Sequence, residues 1–549
     1  MLDVEGPWFD GVSYLQTTEP GSAFVASSKK QRIGIIGAGM AGLMTGHLLD
    51  SVGIHNWTIL EASNRLGGRV LTAYLNGTRP DQYQYQEMGG MRFPVSVQDP
   101  ETGKQLPIKD HRMVFQLADV LNNQNGNVST YKFNFIPWTQ EEPNDPADTL
   151  ARRPDGTVPG AGSVGSSMYE VEDADSPVNI NQTMSLGASA QAAESAYYNW
   201  TGIMQPQTFR LFVKNIFEAH RQAVDTGYFD WSESQYIWHV LSKSINTTDD
   251  INTIANNNPS WLYENIYGAA TQWLTVDQGL SRLPQAFEPQ VLNRTQFNTS
   301  VQGIAWNGSS VIVKHTPTDQ PASKQRESAF DHVITSVPFS LVRLWDLPPY
   351  SSLLSRAIQN LQYTPVCKVA LRYKTRFWEH LPQPILGGCG AVNISGIGNI
   401  CYPSYKINST GPGVLLGSYV LTEVANSLAA LSDAAHIALV QRAMVSIHGP
   451  VAEEQYTGEY VRKCWGSDPF AAGGWASPVA GQQPLYLPAY FRTEFNSIFI
   501  GEHTSYTQAW VWSALESSVR GTTQLLLDLG LVDEAKMIVD TWMARWMRL

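Results

Sequence analysis

The chain has 549 residues, of which 43% are hydrophobic and 16% charged, and this composition excludes a wholly disordered or a collagen-like protein. The 37 basic and 49 acidic residues give a net charge of −12, and no run of lysine and arginine provides the basic surface of a nucleic-acid-binding protein. No stretch approaches the roughly 18 apolar residues of a membrane span, so we expect neither a nucleic-acid nor a membrane partner.

The predicted elements begin with a βαβ unit. The apolar run 32–36 ends in glycines and predicts a buried strand, and 57–61 predicts a second one. Between them, 40–50 carries apolar residues at helical spacing. A strand, a glycine turn, a helix and a strand within about thirty residues indicate parallel strands.

The rest of the chain alternates between loop, helical and strand patterns. Residues 140–195 are rich in Pro, Gly, Ser, Ala and Asp, which predicts a long loop or insertion. The aromatic-rich segment 196–270 predicts mainly helices. Further strands are predicted at 300–316, 330–337, 368–373, 414–420 and 497–501, and a helix is predicted to start near Gln508 or Ala509.

The cysteines and the glycosylation sequons bear on the compartment. The four cysteines lack metal-ligand spacing; Cys389 and Cys401 can bridge a hairpin, and unpaired buried thiols are the alternative. Eleven N-x-S/T sequons occur where chance gives roughly four or five, which favours a secreted glycoprotein over a merely polar surface, with a cytoplasmic protein as the alternative. They are Asn56, Asn76, Asn127, Asn181, Asn199, Asn246, Asn293, Asn298, Asn307, Asn393 and Asn408. The first ten residues have no signal-peptide pattern, so we expect any signal peptide to have been removed.

A dinucleotide fingerprint follows the first strand. In Gly37-Ala-Gly39-Met-Ala41-Gly42, the first glycine makes a tight turn, the second lets the backbone approach a pyrophosphate, and the third lets the helix pack on the strand. Glu61 ends the next strand, where its carboxylate can accept hydrogen bonds from a ribose diol. This context predicts a bound dinucleotide.

The segment from Glu61 to Arg69, with Gly67, Gly68 and Arg69 at its end, closely resembles the E-x-x-x-R-x-G-G-R signature of the flavin amine oxidase superfamily. Further landmarks of that superfamily are matched by 276–284, 298–301, 330–338 and Gly501-Glu502-His503-Thr504. The resemblance implies FAD. The cofactor-binding residues that it implies are Gly37, Gly39, Ala41, Gly42, Glu61, Ala62, Arg69, Gly90, Met91, Arg92, Val301, Glu502, Trp510 and Val511.

Within the superfamily, Gln86–Pro94 resembles the G-x-M-R-x-P segment of L-amino acid oxidases, including the secreted fungal type. The resemblance implies that Arg92 pairs with the substrate carboxylate, which suits the two-pronged guanidinium; a structural ion pair is the alternative. It also implies a carboxylate contact from Tyr402, whose alternative is a core position in a strand. Lys368 is implied in a flavin-side role, and its alternative is a side chain that extends to solvent. Trp475 and Trp510 are implied as aromatic walls around the substrate.

The implied activity is oxidation of an L-amino acid to a 2-oxo acid, ammonia and hydrogen peroxide. The alternatives are an amine or polyamine oxidase, a flavin-containing binding glycoprotein without turnover, and oxygenase chemistry that yields an amide. Asp225, Asp230, Glu233 and Asp346 are candidates to bind a basic Lys or Arg side chain, while a broad or aromatic preference is the rival. The residue after the double glycine is Trp475 rather than cysteine, which favours noncovalent FAD. A homo-oligomer is the family expectation.

The fold class that follows is α/β (α+β mixed), with a Rossmann-type FAD-binding domain of the glutathione-reductase/amine-oxidase type and interleaved substrate-binding and helical domains. The FAD-binding domain is assigned to 31–75, 270–345 and 486–525, and the substrate-binding domain to 1–30, 76–140 and 346–485. A helical domain with a long loop takes 141–269, and a C-terminal helix takes 526–549. The length alone suggests about three or four units.

Overall fold

The computed structural model describes residues 22–126, 128–140, 188–202, 205–244, 263–321, 323–392 and 394–542. The predicted loop 140–195 lies mostly outside these residues, and its described end is helical from Ala188 onward. In the described part of the chain, no helix is both long and apolar enough to cross a membrane.

The strands, numbered along the chain, are β1 Ile33–Ile36, β2 Trp57–Leu60, β3 Thr72–Tyr74, β4 Tyr85–Glu87, β5 Phe93–Gln98, β6 Gln105–Pro107, β7 Phe135–Pro137, β8 Ala270–Val276, β9 Thr295–Gln296, β10 Thr299–Trp306, β11 Val311–Pro317, β12 Arg326–Phe330, β13 His332–Thr335, β14 Tyr363–Thr364, β15 Val366–Tyr373, β16 Cys389–Ala391, β17 Asn399–Cys401, β18 Gly413–Leu421, β19 Tyr456–Cys464, β20 Trp475–Ala476 and β21 Ser497–Phe499.

The α-helices are α1 Ser22–Ser28, α2 Met40–Ser51, α3 Arg112–Gln124, α4 Ala188–Thr201, α5 Pro206–Lys214, α6 Ile216–Asp225, α7 Glu233–Gln235, α8 Tyr263–Gly268, α9 Arg282–Gln285, α10 Glu288–Val291, α11 Phe339–Val342, α12 Ser352–Asn360, α13 Thr422–Ala429, α14 Asp433–His448, α15 Pro450–Gln455, α16 Gln482–Tyr486, α17 Val511–Asp528 and α18 Val532–Thr541. A π-helical turn spans Tyr236–Val240, and 3₁₀ turns span Leu75–Gly77, Pro80–Gln82, Ser129–Tyr131, Leu292–Arg294, Phe377–His380, Trp465–Ser467, Leu487–Phe491 and Glu502–Thr504.

A five-stranded parallel sheet, ordered β21-β13-β1-β2-β9, confirms the predicted βαβ unit. All four residues of β1 are buried, as expected for a central parallel strand covered on both faces. The crossover helix α2 packs against α17, the helix that follows the last strand. Strands of this one sheet come from stretches that lie hundreds of residues apart in the chain.

Helix α17 begins at Val511, slightly later than the predicted start near Gln508 or Ala509. Ala509 has a φ of +70°, a left-handed conformation in which an α-helix cannot start. The delay leaves Trp510 on an extended turn rather than on the helix.

Two antiparallel sheets flank the parallel one. The first has the order β16-β17-β18-β15-β19 and contains the predicted strands near 368–373 and 414–420; the second has the order β6-β5-β8-β7. A three-stranded sheet, β10-β11-β12, and two short ribbons, β3-β4 and β14-β20, complete the strand pairing. The large core cluster joins α2 and α17 to β5, β8 and the helical region.

All four cysteines are in disulfides. Cys389 pairs with Cys401 across the β16-β17 hairpin, so the bridged alternative for this pair is the one observed. Cys367 pairs with Cys464 across β15 and β19, a bond that closes 97 residues of chain.

Candidate active site

A cavity of about 840 Å³ lies at the carboxyl ends of the parallel strands. Its wall includes residues that follow β1, β2, β13 and β21 within two positions, and this is the edge where open α/β sheets bind ligands. The antiparallel sheet β16-β17-β18-β15-β19 supplies the opposite wall through β15 and β18.

The glycine-rich turn after β1 has the geometry that a dinucleotide requires. Gly37 has a φ of +98°, and a Cβ on Gly42 would lie 2.0 Å from the Gly37 carbonyl oxygen, so both positions need glycine. A Cβ on Gly39, in contrast, would meet no atom within 4 Å. The chain therefore leaves open space at Gly39, beside the N-terminus of α2, where a pyrophosphate can approach the main chain.

Glu61 lies at the end of β2 and lines the same cavity. Its carboxylate accepts hydrogen bonds from the main-chain N–H of Ala38 at 2.6 Å and of Ser63 at 2.8 Å, which fix it beside the glycine turn. Ala62 and Val301 line the adjoining wall, as the resemblance implies. The set forms one end of the cavity, suited to the ribose and base of a nucleotide.

Arg69 and Glu502 meet in the cavity although 433 residues separate them. The Arg69 guanidinium donates to Glu502 Oε1 at 2.8 Å and to the Gly474 carbonyl oxygen at 3.0 Å. Glu502 also accepts main-chain N–H bonds from Ala476 and Ala509, the neighbours of the two predicted aromatic walls. One carboxylate therefore ties together three segments of the site.

These residues fit FAD. The cavity combines a glycine cradle, a carboxylate at a strand end and an arginine, which are the groups that hold a dinucleotide through its phosphates and ribose. Ala41, Gly90, Met91 and Val511 also line the cavity, whereas Gly42 lies behind its wall, where it lets α2 approach the turn.

Lys368 lines the opposite wall and is buried. Its ammonium donates to the carbonyl oxygens of Gly89 at 2.6 Å and Glu87 at 3.2 Å, and lies 4.5 Å from the centre of the Tyr419 ring. Burial lowers the pKa of Lys368 to about 7, against the opposing effect of the Glu87 charge. The side chain is held inside the site and does not extend to solvent.

Arg92 lies in the same cavity, half-buried and bordered by tryptophans. Its guanidinium carbon lies 5.2 Å from the Trp273 ring centre and 6.0 Å from that of Trp138. Trp273 is in turn stacked near Trp510, with ring centroids 6.2 Å apart. A planar cation beside aromatic faces is a suitable receptor for a carboxylate.

Both predicted aromatic walls are present. Trp475 and Trp510 line the cavity. Trp475 directly precedes Ala476 and Trp510 directly follows Ala509, the two residues whose main-chain N–H groups donate to Glu502. The left-handed Ala509 directs Trp510 toward Trp273, and such a conformation in a non-glycine residue is typical of functional sites.

Tyr402 is outside the cavity. Its side chain is fully buried in a separate core cluster, and its hydroxyl shares a 2.7 Å hydrogen bond with His448 Nε2. The carboxylate contact implied for Tyr402 is therefore corrected, because the ring points into the packing of α14 against the sheet. Among the described residues, the tyrosine that lines the cavity is Tyr419, which pairs directly with Lys368 across β15 and β18.

The candidate acids for a basic substrate side chain also lie elsewhere. Asp225 and Asp230 are exposed outside the cavity, and the Asp346 side chain is 81% exposed beside Lys314. The side chain of Glu233 is outside the described part. Among the described residues that line the cavity, the acids are Glu61, Glu502 and Asp468, and Asp468 pairs with Lys463. None of the three predicted aspartates is placed to meet a substrate in this cavity.

Three features at or near the cavity were not predicted from the sequence: Trp273, Tyr419 and the buried carboxyl group of Glu87. Trp273 lies three residues before the matched segment that starts at Val276, so its position was a usable signal. Tyr419 is identified only once the pairing of β15 with β18 is known. Glu87 stands inside the quoted motif, but nothing in the motif shows that its carboxyl group is buried.

Comparisons with known proteins agree on one family. The family described as flavin containing amine oxidoreductase matches residues 40–526. An L-amino-acid oxidase of Neurospora crassa is 42% identical over 98% of this chain and 78% of its own length. An L-amino-acid oxidase of Siganus canaliculatus is 28% identical over 94% of this chain and 90% of its own length.

Among solved structures, a variant of putrescine oxidase superposes with a TM-score of 0.60 at 16% identity, over 90% of this chain and 99% of that one. At this identity the likeness shows the fold alone. It confirms the predicted fold class, a mixed α/β architecture with a Rossmann-type cofactor domain.

Proposed function

The chain belongs to the family of flavin containing amine oxidoreductases, and from this membership and the cavity we propose that it is an FAD-dependent L-amino acid oxidase. The reaction converts an L-amino acid and O₂ to a 2-oxo acid, ammonia and hydrogen peroxide. The observation that carries the choice of an amino acid over a plain amine is Arg92, a guanidinium that lines the cavity between tryptophan faces.

A carboxylate explains this arrangement better than an amine does. A plain amine has no anionic group to pair with Arg92, so the guanidinium would face its cation without a compensating contact. A carboxylate gains charge-assisted hydrogen bonds from the two prongs of the guanidinium. Arg92 thereby fixes one end of the substrate and leaves the Cα and the amino group to face the flavin.

The other residues orient the substrate and exclude water. Trp475 and Trp510 form aromatic walls of the cavity, and Glu502 fixes both through adjacent main-chain N–H groups. Lys368 is fixed in the wall by the carbonyl oxygens of Glu87 and Gly89, so its amino group is available on the flavin side of the site. FAD supplies the hydride acceptor for oxidation of the C–N bond and the route by which the electrons reach O₂. The released imino acid hydrolyses to the 2-oxo acid and ammonia.

The decisive experiment is a peroxide assay over the twenty L-amino acids and their matching decarboxylated amines. We expect peroxide with amino acids and little or none with the amines. Activity with the amines alone would establish the amine oxidase alternative, and a flavin that no substrate bleaches under anaerobic conditions would establish a binding protein. Chromatography of the products separates the 2-oxo acid of an oxidase from the amide of an oxygenase.

We also propose that FAD is bound noncovalently by a domain assembled from 31–75, 270–345 and 486–525. All four cysteines are in disulfides, so none is left to form a thioether to the flavin. Trp475 occupies the position after the double glycine. Acid precipitation should leave yellow flavin in the supernatant, and a coloured pellet would contradict this proposal.

Secretion and glycosylation are proposed on two further observations. Two disulfides are typical of an oxidising compartment. Every sequon asparagine within the described residues is exposed, namely Asn56, Asn76, Asn199, Asn293, Asn298, Asn307 and Asn408. Treatment of the native protein with an endoglycosidase should increase its mobility in gels, and an unchanged band would refute glycosylation. A homo-oligomer is proposed on the family resemblance, and light scattering would measure it.

A further inference from the structure

Three consecutive carbonyl oxygens at the cavity wall accept hydrogen bonds from two side chains of the antiparallel sheet. Lys368 Nζ donates to the carbonyl oxygens of Glu87 at 3.2 Å and Gly89 at 2.6 Å. The indole Nε1 of Trp465 donates to the carbonyl oxygen of Met88, which lies between them, at 2.7 Å. Both donor side chains are buried. A lysine nitrogen carries donor protons whether or not it is charged, so these contacts do not depend on its protonation state.

The main-chain N–H groups of the same segment are bound on its other side. Those of Met88 and Gly89 both donate to the carbonyl oxygen of Leu71, at 2.8 and 3.3 Å. The contact is close, because a Cβ on Gly89 would lie 1.7 Å from the carbonyl oxygen of Arg69. The segment is therefore held between the stretch that carries Arg69 and the antiparallel sheet.

This segment continues into the wall of the cavity that fits FAD. All residues of 88–92 line the cavity. Farther along, the carbonyl oxygen of Met91 accepts a hydrogen bond from the Thr275 hydroxyl at 2.8 Å. Arg92, the last residue of the stretch, is the residue proposed to bind the substrate carboxylate. The shape of 88–92 therefore affects both the cofactor and the substrate parts of the site.

The two donors are joined through a disulfide. Lys368 directly follows Cys367 in β15, and Trp465 directly follows Cys464, the last residue of β19. The two cysteines are register partners on these strands and form a disulfide. Successive side chains of a strand point to opposite faces of a sheet. Accordingly, the disulfide packs with α13 in a core cluster away from the cavity, whereas the residues that follow the two cysteines line the cavity.

We propose that Trp465 and the Cys367–Cys464 disulfide are positioning residues for the flavin wall. The disulfide fixes β19 against β15, so that Trp465 and Lys368 reach the consecutive carbonyl oxygens together. These hydrogen bonds hold 88–92 in the shape that binds FAD. A wall that is already ordered binds its cofactor more tightly, because binding does not have to order it. The inference rests on the proposed binding of FAD and not on the choice of substrate.

The second disulfide provides a matched control. Cys389 and Cys401 are also register partners on neighbouring antiparallel strands. In the part of the chain that the structure describes, the residues directly before and after these two cysteines do not line the cavity. Removal of this bond should lower stability and leave the wall in place. The two disulfides therefore separate a general loss of stability from a loss of wall geometry.

The test measures the visible circular dichroism of the flavin in the oxidised holoenzyme and the Kd for FAD from its release on dilution. The isoalloxazine ring is achiral, so its circular dichroism depends on the fixed groups around it. Trp465→Phe keeps a ring and removes the N–H donor, and it should change the spectrum and raise the Kd about three- to tenfold. Cys367→Ala with Cys464→Ala should change both in the same direction. Cys389→Ala with Cys401→Ala should leave both at the wild-type values while it lowers the midpoint of urea denaturation.

If the disulfide acts through Trp465, the two effects are not independent. Loss of the Cys367–Cys464 bond should raise the Kd for FAD by a smaller factor in Trp465→Phe than in the wild type, whereas independent roles predict that the factors multiply. Multiplied factors, or a flavin disturbed equally by loss of the control disulfide, would overturn the proposal. So would an unchanged spectrum and Kd in Trp465→Phe, a result that decides the question even where the cysteine variant does not fold. A wild type that binds FAD beside an unaffected Trp465→Phe contradicts this inference alone, and a wild type that takes up no FAD contradicts the proposed function as well.

Discussion

Arg92→Ala removes the group that distinguishes an amino acid site from an amine site in this cavity. The guanidinium is half-buried, and the faces of Trp273 and Trp138 hold it in one region of the wall. Neither tryptophan can replace the charge of Arg92, and Lys368 is already held by the carbonyl oxygens of Glu87 and Gly89. A substrate carboxylate in the variant would therefore lose its partner without a substitute.

The expected loss of kcat/KM follows from the two hydrogen bonds that the Arg92 guanidinium can donate to a carboxylate. A hydrogen bond to a charged group contributes about 1.5–3 kcal/mol, and two at a half-buried, partly hydrated site together contribute about 3–4 kcal/mol. Since each 1.4 kcal/mol is a factor of about ten, kcat/KM should fall about 100-fold to 1000-fold. The fall should be similar for every amino acid, because all of them share the carboxylate.

The assay is steady-state peroxide release with several amino acids of different side-chain class. Arg92→Lys is the matched control: it keeps the charge but loses the planar fork, so it should lie between the wild type and Arg92→Ala. Arg92→Ala should also raise the pKa of Lys368, because a neighbouring cation that lowers it is gone. A loss confined to one side-chain class, or an unchanged kcat/KM, would refute the assignment.

Four other variants test three further predictions. In the apoprotein, Gly42→Ala should lower the free energy of unfolding by about 1–3 kcal/mol, because its methyl group collides with the turn. Gly39→Ala should leave that energy nearly unchanged and weaken FAD binding in a flavin titration. Equal losses of stability in the two variants would contradict the open space at Gly39. Replacing Cys367 and Cys464 together by serine should lower the free energy of unfolding, measured by urea denaturation, by about 4–5 kcal/mol, because the disulfide closes a loop of 97 residues. A decrease below about 1 kcal/mol would refute the stabilising contribution of this disulfide. Tyr402→Phe should cost about 1 kcal/mol of stability and leave KM within about twofold, and a large rise in KM would restore the substrate contact that the structure removes.

Local motifs predicted the part of the site that depends on local geometry. The turn at Gly37–Gly42 and the carboxylate of Glu61 lie where the fingerprint placed them, because a strand, a turn and a helix adjacent in sequence determine their own arrangement. Arg69 and Glu502 were each identified from a separate motif, and the structure joins them at 2.8 Å. Their contact itself could not be read from the sequence, since it depends on how β21 meets the first strands.

The tyrosine at the site shows why the rest could not be predicted. Tyr419 lies in β18, and Tyr402 directly follows β17, the strand paired with β18. The apolar sequence around each tyrosine is compatible with a side chain on either face of the sheet. The choice is set by register: Tyr419 opposes Lys368 across β15 and β18, and a bulge between Val369 and Ala370 shifts the pairing beyond it. A one-residue change of register exchanges the two faces of a strand, so the register must be known before a side chain can be assigned to a cavity. The same limit applies to Glu87. Its position in the motif is known, but its buried carboxyl group is held by Thr72 on the paired strand β3 and by Leu280, which lies 193 residues away in the chain. Residues behind the cavity wall can therefore be identified only from tertiary contacts.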